Sequence, residues 1–425
     1  MSDRCNVLYI MTDQQSATAM SCAGNDDLHT PALDQLAEDG TRFEAAYCTY
    51  PLCVPARVSM FTGRMPHEVG IEGNGGLVDP SVMPQSLGHL LRGAGYRNAY
   101  AGKTHLPVPD DGETGAYWGW ETIGPWDDHA VAPACIDFLA QQHDEPFFLV
   151  ASYDNPHNIC QWARQQQLPY GPVEDVPTES CPGLPANYSV PPYESEVIRP
   201  LVRSNYSVHP MVDSRPDLWR HYRHAYYRLV ERVDAGIGRI LNALFDSPYA
   251  DNTLIVFSSD HGDGQGAHQL NQKSFLYDEQ TRVPLIVRPP GGGKPQVATG
   301  PVSATLDLLP TVCDYAGVSV PDQARGLSLR PAADRGEDDK DRAVVTETVV
   351  YEQEPGRMVR TDRYKYSVYS KGPYREQLFD LYRDPGEMVN LAIEARYQHV
   401  LASHREILSR WCEQTDDHVP KRWRP

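Results

Sequence analysis

Asn6-Val7-Leu8-Tyr9-Ile10-Met11-Thr12-Asp13 is an apolar run that closes on a carboxylate. A run of this kind, without polar alternation, fits a strand covered on both faces, the habit of parallel sheets in α/β proteins. Three more runs share the pattern: 97–101 enters Gly102-Lys103, 146–152 enters Asp154-Asn155-Pro156-His157, and 253–259 enters Asp260-His261. Helices lie between them. Thr30-Pro31, then Leu33, Leu36 and Ala37, then Gly40 give a cap, an apolar spacing and a stop in order, while 85–92 and 218–244 have helical periodicity. A further strand is expected at 283–287. The alternation predicts an α/β fold with a large, mostly parallel central sheet flanked by helices. Ligands of such sheets bind beyond the carboxyl ends of the strands, so Asp13, Lys103, His157 and Asp260 are expected to converge.

The remainder divides by composition. Segment 160–216 is rich in Pro, Tyr, Asn and Ser with little periodicity, and its aromatic content argues against a disordered linker. It is read as a substrate-specificity wall. Residues 289–295 form a Gly/Pro turn, and the charged stretch 334–341 marks a boundary. Beyond it, 343–350, 357–360, 364–369 and 377–380 alternate like antiparallel strands, and a helix follows over 394–411. The expected division is a catalytic domain at 1–335 and a smaller α+β unit at 336–425.

The 425 residues bury a large core, and 40% hydrophobic with 22% charged residues is ordinary for a globular protein. No stretch reaches the ~20 consecutive apolar residues of a membrane span, and the opening residues lack the layout of a secretory leader. The expected location is the cytoplasm. Nine cysteines, an odd number without zinc-type spacing, fit free thiols in a reducing compartment. A net charge of −19 speaks against nucleic acid as a partner, and favours a small or terminal anionic group over a long polyanion. Oligomeric state is not constrained.

Pro51-Leu52-Cys53-Val54-Pro55-Ala56-Arg57 is a C-x-P-x-R segment, followed by Val58-Ser59-Met60-Phe61-Thr62-Gly63-Arg64. Pro55 and the run 56–61 read as a helix start, which places Cys53 where free backbone amides favour an anion and Arg57 one turn along. Five letters alone also fit a helix N-terminus with a chance cysteine. Other segments stand beside them: Met11-Thr12-Asp13-Gln14-Gln15, Gly102-Lys103-Thr104-His105, Asn155-Pro156-His157, Ser259-Asp260-His261-Gly262, and His268-Gln269-Leu270 with Lys273. Late in the chain come 360–366 and Leu378-Phe379-Asp380-Leu381 with Asp384-Pro385, Glu387 and Asn390-Leu391. With these segments the chain resembles the type I sulfatases of the alkaline phosphatase superfamily over most of its length; 160–216 falls outside the family pattern.

The resemblance implies that Cys53 is oxidised by a formylglycine-generating enzyme to formylglycine, whose hydrate attacks sulfur. It implies one divalent metal held by Asp13, Gln14, Asp260, His261 and the modified residue 53. Gln14 and His261 stand where many relatives carry Asp and Asn; Ca²⁺ is the first expectation, with Mg²⁺ or Mn²⁺ open. Hard cations with oxygen ligands neutralise such anions and activate oxygen nucleophiles. In the family mechanism Arg57 supports the hydrate and a metal-bound Asp, Lys103 and Lys273 hold sulfate oxygens, and Asp260 helps to deprotonate the hydrate. His157 protonates the leaving alcohol and His105 takes the proton that lets sulfate depart. Asn74 is a substrate contact or a turn residue; Trp162 and Arg164 suggest a carbohydrate subsite. His67 and His268 are read as structural.

The expected function is hydrolysis of a sulfate ester, in particular an O-sulfated sugar. The alternatives are a phosphonate monoester or phosphodiester hydrolase of the same superfamily, whose members tend to lack the Lys and His of G-K-x-H, and an unmodified pseudo-sulfatase that binds a sulfated ligand.

Overall fold

The computed structural model describes residues 4–109, 112–351 and 353–418. Its main sheet has eight strands, in the order Glu121–Gly124, Arg97–Gly102, Phe147–Pro156, Asn6–Asp13, Thr253–Ser259, Leu285–Arg288, Thr41–Phe43 and Gln296–Ala298. The four predicted apolar runs are therefore neighbours at its centre, and they pair in parallel. The strand expected near 283–287 runs antiparallel to both of its neighbours. The chain returns to it through the 260–284 loop rather than a full crossover helix, and a short return leaves the strand reversed.

All eight residues of Asn6–Asp13 are buried. Val7, Tyr9 and Met11 face one apolar cluster, and Leu8 and Ile10 face the other, which is the period-2 geometry of a strand covered on both sides. Helices Cys53–Thr62, Leu87–Gly93 and Leu308–Ala316 cover the first face. Helices Pro31–Glu38, Asp128–Leu139 and the thirty-residue Pro216–Phe245 cover the second. Thr30 was expected to cap Pro31–Glu38 but makes no side-chain cap there. Instead the carboxylate of Asp234, on the long helix, accepts the free Ala32 and Leu33 amides at 3.1 and 3.0 Å. A local signal named the right turn and a distant residue fills it.

Segment 160–216 contains helix Ile159–Ala163 at its start, the short turn Thr178–Ser180 and helix Ile198–Ser204. It is fastened down: Arg220 donates to the Cys181 and Pro182 carbonyls, Arg232 to the Gly171 carbonyl, and Ile198 and Val202 pack with Phe275, Met358 and Phe379. Strands Val344–Val350, Glu354–Arg360, Tyr364–Tyr369 and Glu376–Asp380 form the antiparallel sheet expected from the alternation, with helix Gln398–Gln414 after it.

His67 fastens this C-terminal unit to the turn after the Cys53–Thr62 helix. Its Nδ1 lies 2.6 Å from Glu347 Oε2 and its Nε2 3.0 Å from the Thr415 carbonyl, while Arg357 grips Asp417 beside it at 2.6 Å. Burial disfavours the imidazolium, but the hydrogen bond it gives Glu347, together with the Glu347 and Asp417 charges, outweighs burial and lifts the pKa from 6.5 to about 9. A folded pKa above the unfolded one stabilises fully below pH 6.5, and that stability is lost as pH rises through 9. Urea unfolding is therefore expected to show a loss on the order of 2 kcal/mol between pH 6.5 and 9.5. His67→Gln should flatten this step; an unchanged step in the variant would assign it to other groups.

Candidate active site

The site is assembled at the carboxyl ends of the central strands. Asn6–Asp13 ends in Asp13, and the next residue, Gln14, turns into the left-handed region at φ 72°, held by its N–H to Asp260 Oδ1 at 3.1 Å. Thr253–Ser259 delivers Asp260 and His261 one residue later. Arg97–Gly102 ends at a glycine with φ 92°, where a Cβ would meet the Ser152 carbonyl oxygen at 2.0 Å. Only glycine lets the two strands approach there, and Lys103 then emerges beside Asp13.

Cys53 is the first residue of its helix and is 1% exposed. Its Sγ lies 3.1 Å from Lys273 Nζ, 3.3 Å from His261 Nε2 and 3.7 Å from Asp13 Oδ1. Burial and the Asp13 charge oppose ionisation of the thiol, but Lys273, His261 and Lys103 outweigh them and hold its pKa well below the usual range. The neighbouring amide of Val54 donates to Asn74 Oδ1 at 3.2 Å. Asn74 thus steadies the turn that carries Cys53 while remaining exposed itself.

Arg57 is completely buried and ties the two acidic strand ends together. Its Nε donates to Asp260 Oδ2 at 2.8 Å, Nη2 to Asp13 Oδ2 at 3.0 Å, and Nη1 to the Lys103 carbonyl at 2.8 Å. Lys103 Nζ sits 2.7 Å from Asp13 Oδ2 and 2.8 Å from Asp154 Oδ1. Burial opposes the charge on Asp13, yet Lys103, His157, Lys273 and Arg57 keep its pKa well below the normal carboxylate value. Burial, with the Asp13 charge, pushes Asp260 up to about 6.

One ligand atom each from Asp13, Cys53, Asp260 and His261 lies within 4.8 Å of the others. His261 Nδ1 is 3.0 Å from the Gly262 carbonyl. A carbonyl only accepts, so Nδ1 carries a proton and Nε2, facing Asp13 and Asp260 at 3.7 and 3.5 Å, is the nitrogen left to ligate. Two carboxylates, an imidazole held by its other nitrogen, and the nearby amide oxygen of Gln14 make a donor set suited to a hard divalent cation.

His157 follows the Phe147–Pro156 strand. Burial first, then the charges on Lys273 and Lys103, hold its pKa well below 6.5. His105 packs against Trp126 with ring centroids 5.4 Å apart, and its Nδ1 is buried without a hydrogen-bond partner among the described residues. Lys273 Nζ also donates to Gln14 Oε1 at 2.9 Å. Trp162 packs its indole edge-on against Tyr222 at 5.9 Å, and Arg164 donates to the Ser207 carbonyl at 2.9 Å, so the contacts that each makes here are within the protein.

Sequence reasoning passed over three residues. Asp154 pairs with Lys103, and Trp126 lies 4.9 Å from the Lys103 ammonium. Asp263 receives the Gln14 amide nitrogen at 2.8 Å. Asp154 could have been found by the strand-end rule that found His157; Trp126, on a loop, carried no local signal.

Family models of known proteins match this chain twice: "Sulfatase" over residues 5–318, and "N-sulphoglucosamine sulphohydrolase, C-terminal" over residues 266–414. A Delta 4,5-hexuronate-2-O-sulfatase of Bacteroides thetaiotaomicron is 32% identical, the match covering 97% of this chain and 89% of that protein. The solved structure of a putative sulfatase from Bacteroides thetaiotaomicron superposes with a TM-score of 0.86 at 30% identity, over 99% of this chain and 94% of that one. A 2-O GAG sulfatase structure gives 0.84 at 30% identity, again over 99% and 94%.

Proposed function

We propose, from the premise that the chain belongs to the sulfatase family, that it hydrolyses the O-sulfate ester of a small or terminal sulfated sugar. It is a sulfuric ester hydrolase. The observation that carries the reading is the buried cluster at Cys53, where two carboxylates, an imidazole and two ammonium groups surround one side chain at a helix N-terminus. An anion of dispersed charge is met there by positive groups fixed before it arrives.

When present, a divalent cation on Asp13, Gln14, Asp260 and His261, Ca²⁺ in the first instance, supplies charge neutralisation, and formylglycine formed from Cys53 supplies the oxygen nucleophile. The other residues position, hold charge and move protons. Arg57 bridges the two carboxylates and opposes their protonation. Lys103 and Lys273 offer N–H donors to sulfate oxygens. His157 gives its proton to the departing alcohol oxygen, and His105, through its Nδ1, accepts the proton released when sulfate leaves. On this reading 1–335 is the catalytic part, with 160–216 as its specificity wall and Trp162 and Arg164 as its sugar-binding residues, and 336–425 is the smaller α+β unit. The location proposed is the cytoplasm, in keeping with nine free thiols. Among the described residues no helix is long and apolar enough to cross a membrane.

The test is a matched kinetic screen of mono- and disaccharide sulfates against aryl phosphodiesters, together with mass spectrometry of the Cys53 peptide from the native host. Preference for a sugar sulfate and an aldehyde at residue 53 are expected. A preference for the diesters would replace the substrate class, and an unmodified thiol in a protein that binds but does not turn over sulfated sugars would make it a binding protein.

A further inference from the structure

We propose that Asp263 is a positioning residue that fixes which end of the Gln14 amide faces the metal position, so that Gln14 and Asp263 work as one unit whose negative charge sits one residue behind the cation. The proposal rests on the reading of Gln14 as a ligand and adds what determines its orientation.

The two ends of a glutamine amide differ little in shape, so its partners decide which atom points where. Here they leave one answer. Gln14 Nε2 lies 2.8 Å from Asp263 Oδ2, and Gln14 Oε1 lies 2.9 Å from Lys273 Nζ. A carboxylate accepts and an ammonium donates, so the nitrogen is turned to Asp263 and the oxygen toward the side of Cys53, which shares the same ammonium at 3.1 Å. Asp263 is itself immobilised at 0% exposure. The Tyr222 hydroxyl donates to it at 2.8 and 3.0 Å, and the Gln265 and Gln272 N–H groups donate at 2.8 and 3.0 Å. Tyr222 belongs to the long helix Pro216–Phe245, so the orientation of one amide is referred to the rigid frame of the fold.

The arrangement has a counter-intuitive consequence. A carboxylate of the same reach at position 14 adds a negative ligand, but it also faces the Asp263 carboxylate across a buried hydrogen-bond distance. Two acceptors then face each other with no N–H between them, and the hydrogen bond that orients residue 14 is lost. The added ligand should help only if position 263 offers a donor in place of an acceptor.

The experiment is calorimetric titration of the EDTA-stripped full chain with CaCl₂ and, separately, MgCl₂, with circular dichroism as a check of folding. Gln14→Glu is expected to bind the cation about 10- to 100-fold more weakly than the parent protein, and Gln14→Glu combined with Asp263→Asn to regain affinity to at least the parent's level. Tyr222→Phe, which takes one donor from Asp263 without touching any ligand, should lower cation affinity in the same direction. If Gln14→Glu alone binds as tightly as the parent or more so, or if the pair shows no recovery, the coupling is wrong while the metal reading stands. If the parent binds neither cation, the metal reading fails and the coupling with it. Should Gln14→Glu not fold, Tyr222→Phe decides: unchanged cation affinity there overturns the proposal.

Discussion

Cys53→Ala is expected to reduce turnover of a sugar sulfate to the uncatalysed rate, and His157→Ala to lower it by about 10²- to 10⁴-fold. The two losses have different causes. Alanine at 53 leaves Lys103 and Lys273 able to bind sulfate, so binding survives while bond making stops. Alanine at 157 removes only the proton given to the leaving oxygen, and that help matters in proportion to the basicity of the alcohol. The His157→Ala deficit should therefore shrink on an aryl sulfate, whose phenolate leaves without protonation, whereas the Cys53→Ala deficit should not. Equal His157→Ala losses on both substrates would remove His157 from the role of acid. The pH profile gives a second check. Burial, Lys273 and Lys103 depress the pKa of His157 in the free enzyme, and a bound sulfate offsets those two charges. The alkaline limb set by His157 should accordingly lie at higher pH in kcat than in kcat/KM.

Arg57→Met is expected to destabilise the metal-stripped protein by about 3–5 kcal/mol, the cost of removing one partner from a buried ion pair. Methionine nearly fills the space, so the loss reports charge rather than a cavity. The guanidinium holds Asp13 and Asp260 at 3.0 and 2.8 Å, with both carboxylates at 0% exposure. Without it their folded pKa values rise. Carboxyl groups whose folded pKa exceeds the unfolded value cost stability increasingly as pH climbs from the unfolded to the folded pKa. The gap between variant and parent should thus be narrow near pH 4 and wide at pH 8, measured by denaturant unfolding in EDTA. A gap that does not depend on pH would mean that Arg57 acts through packing.

Much of this architecture can be read along the chain because its signals are local. An apolar run such as 253–259 declares a strand covered on both faces without reference to anything else, and the structure returns Thr253–Ser259. Helix Pro216–Phe245 announces itself by its repeat in the same way. Boundaries shift where the competing contact is remote. The 147–156 strand runs past its predicted end because Asp13 still pairs with Pro156 after a register shift, while pairing with Arg97–Gly102 stops at Ser152, and the expected cap of Pro31–Glu38 comes from Asp234 instead of Thr30. The meeting of Asp13, Lys103 and Asp260 followed from one rule, that parallel strands present their carboxyl ends on one side, whereas Cys53, at a helix start, was joined to them only by the family resemblance.

What the residues alone determined is which segments become strands and which polar side chains stand at their ends, since both depend on neighbours within a few positions. What only the tertiary structure decided is who pairs with whom. Arg57 reaches Asp260 across 203 positions and Asp263 meets Gln14 across 249, while Leu285–Arg288 reverses direction within a sheet whose local pattern is otherwise parallel. No periodicity encodes such pairings. They are set when buried charges and donors must each find a partner in the one packing that leaves few of them unmatched.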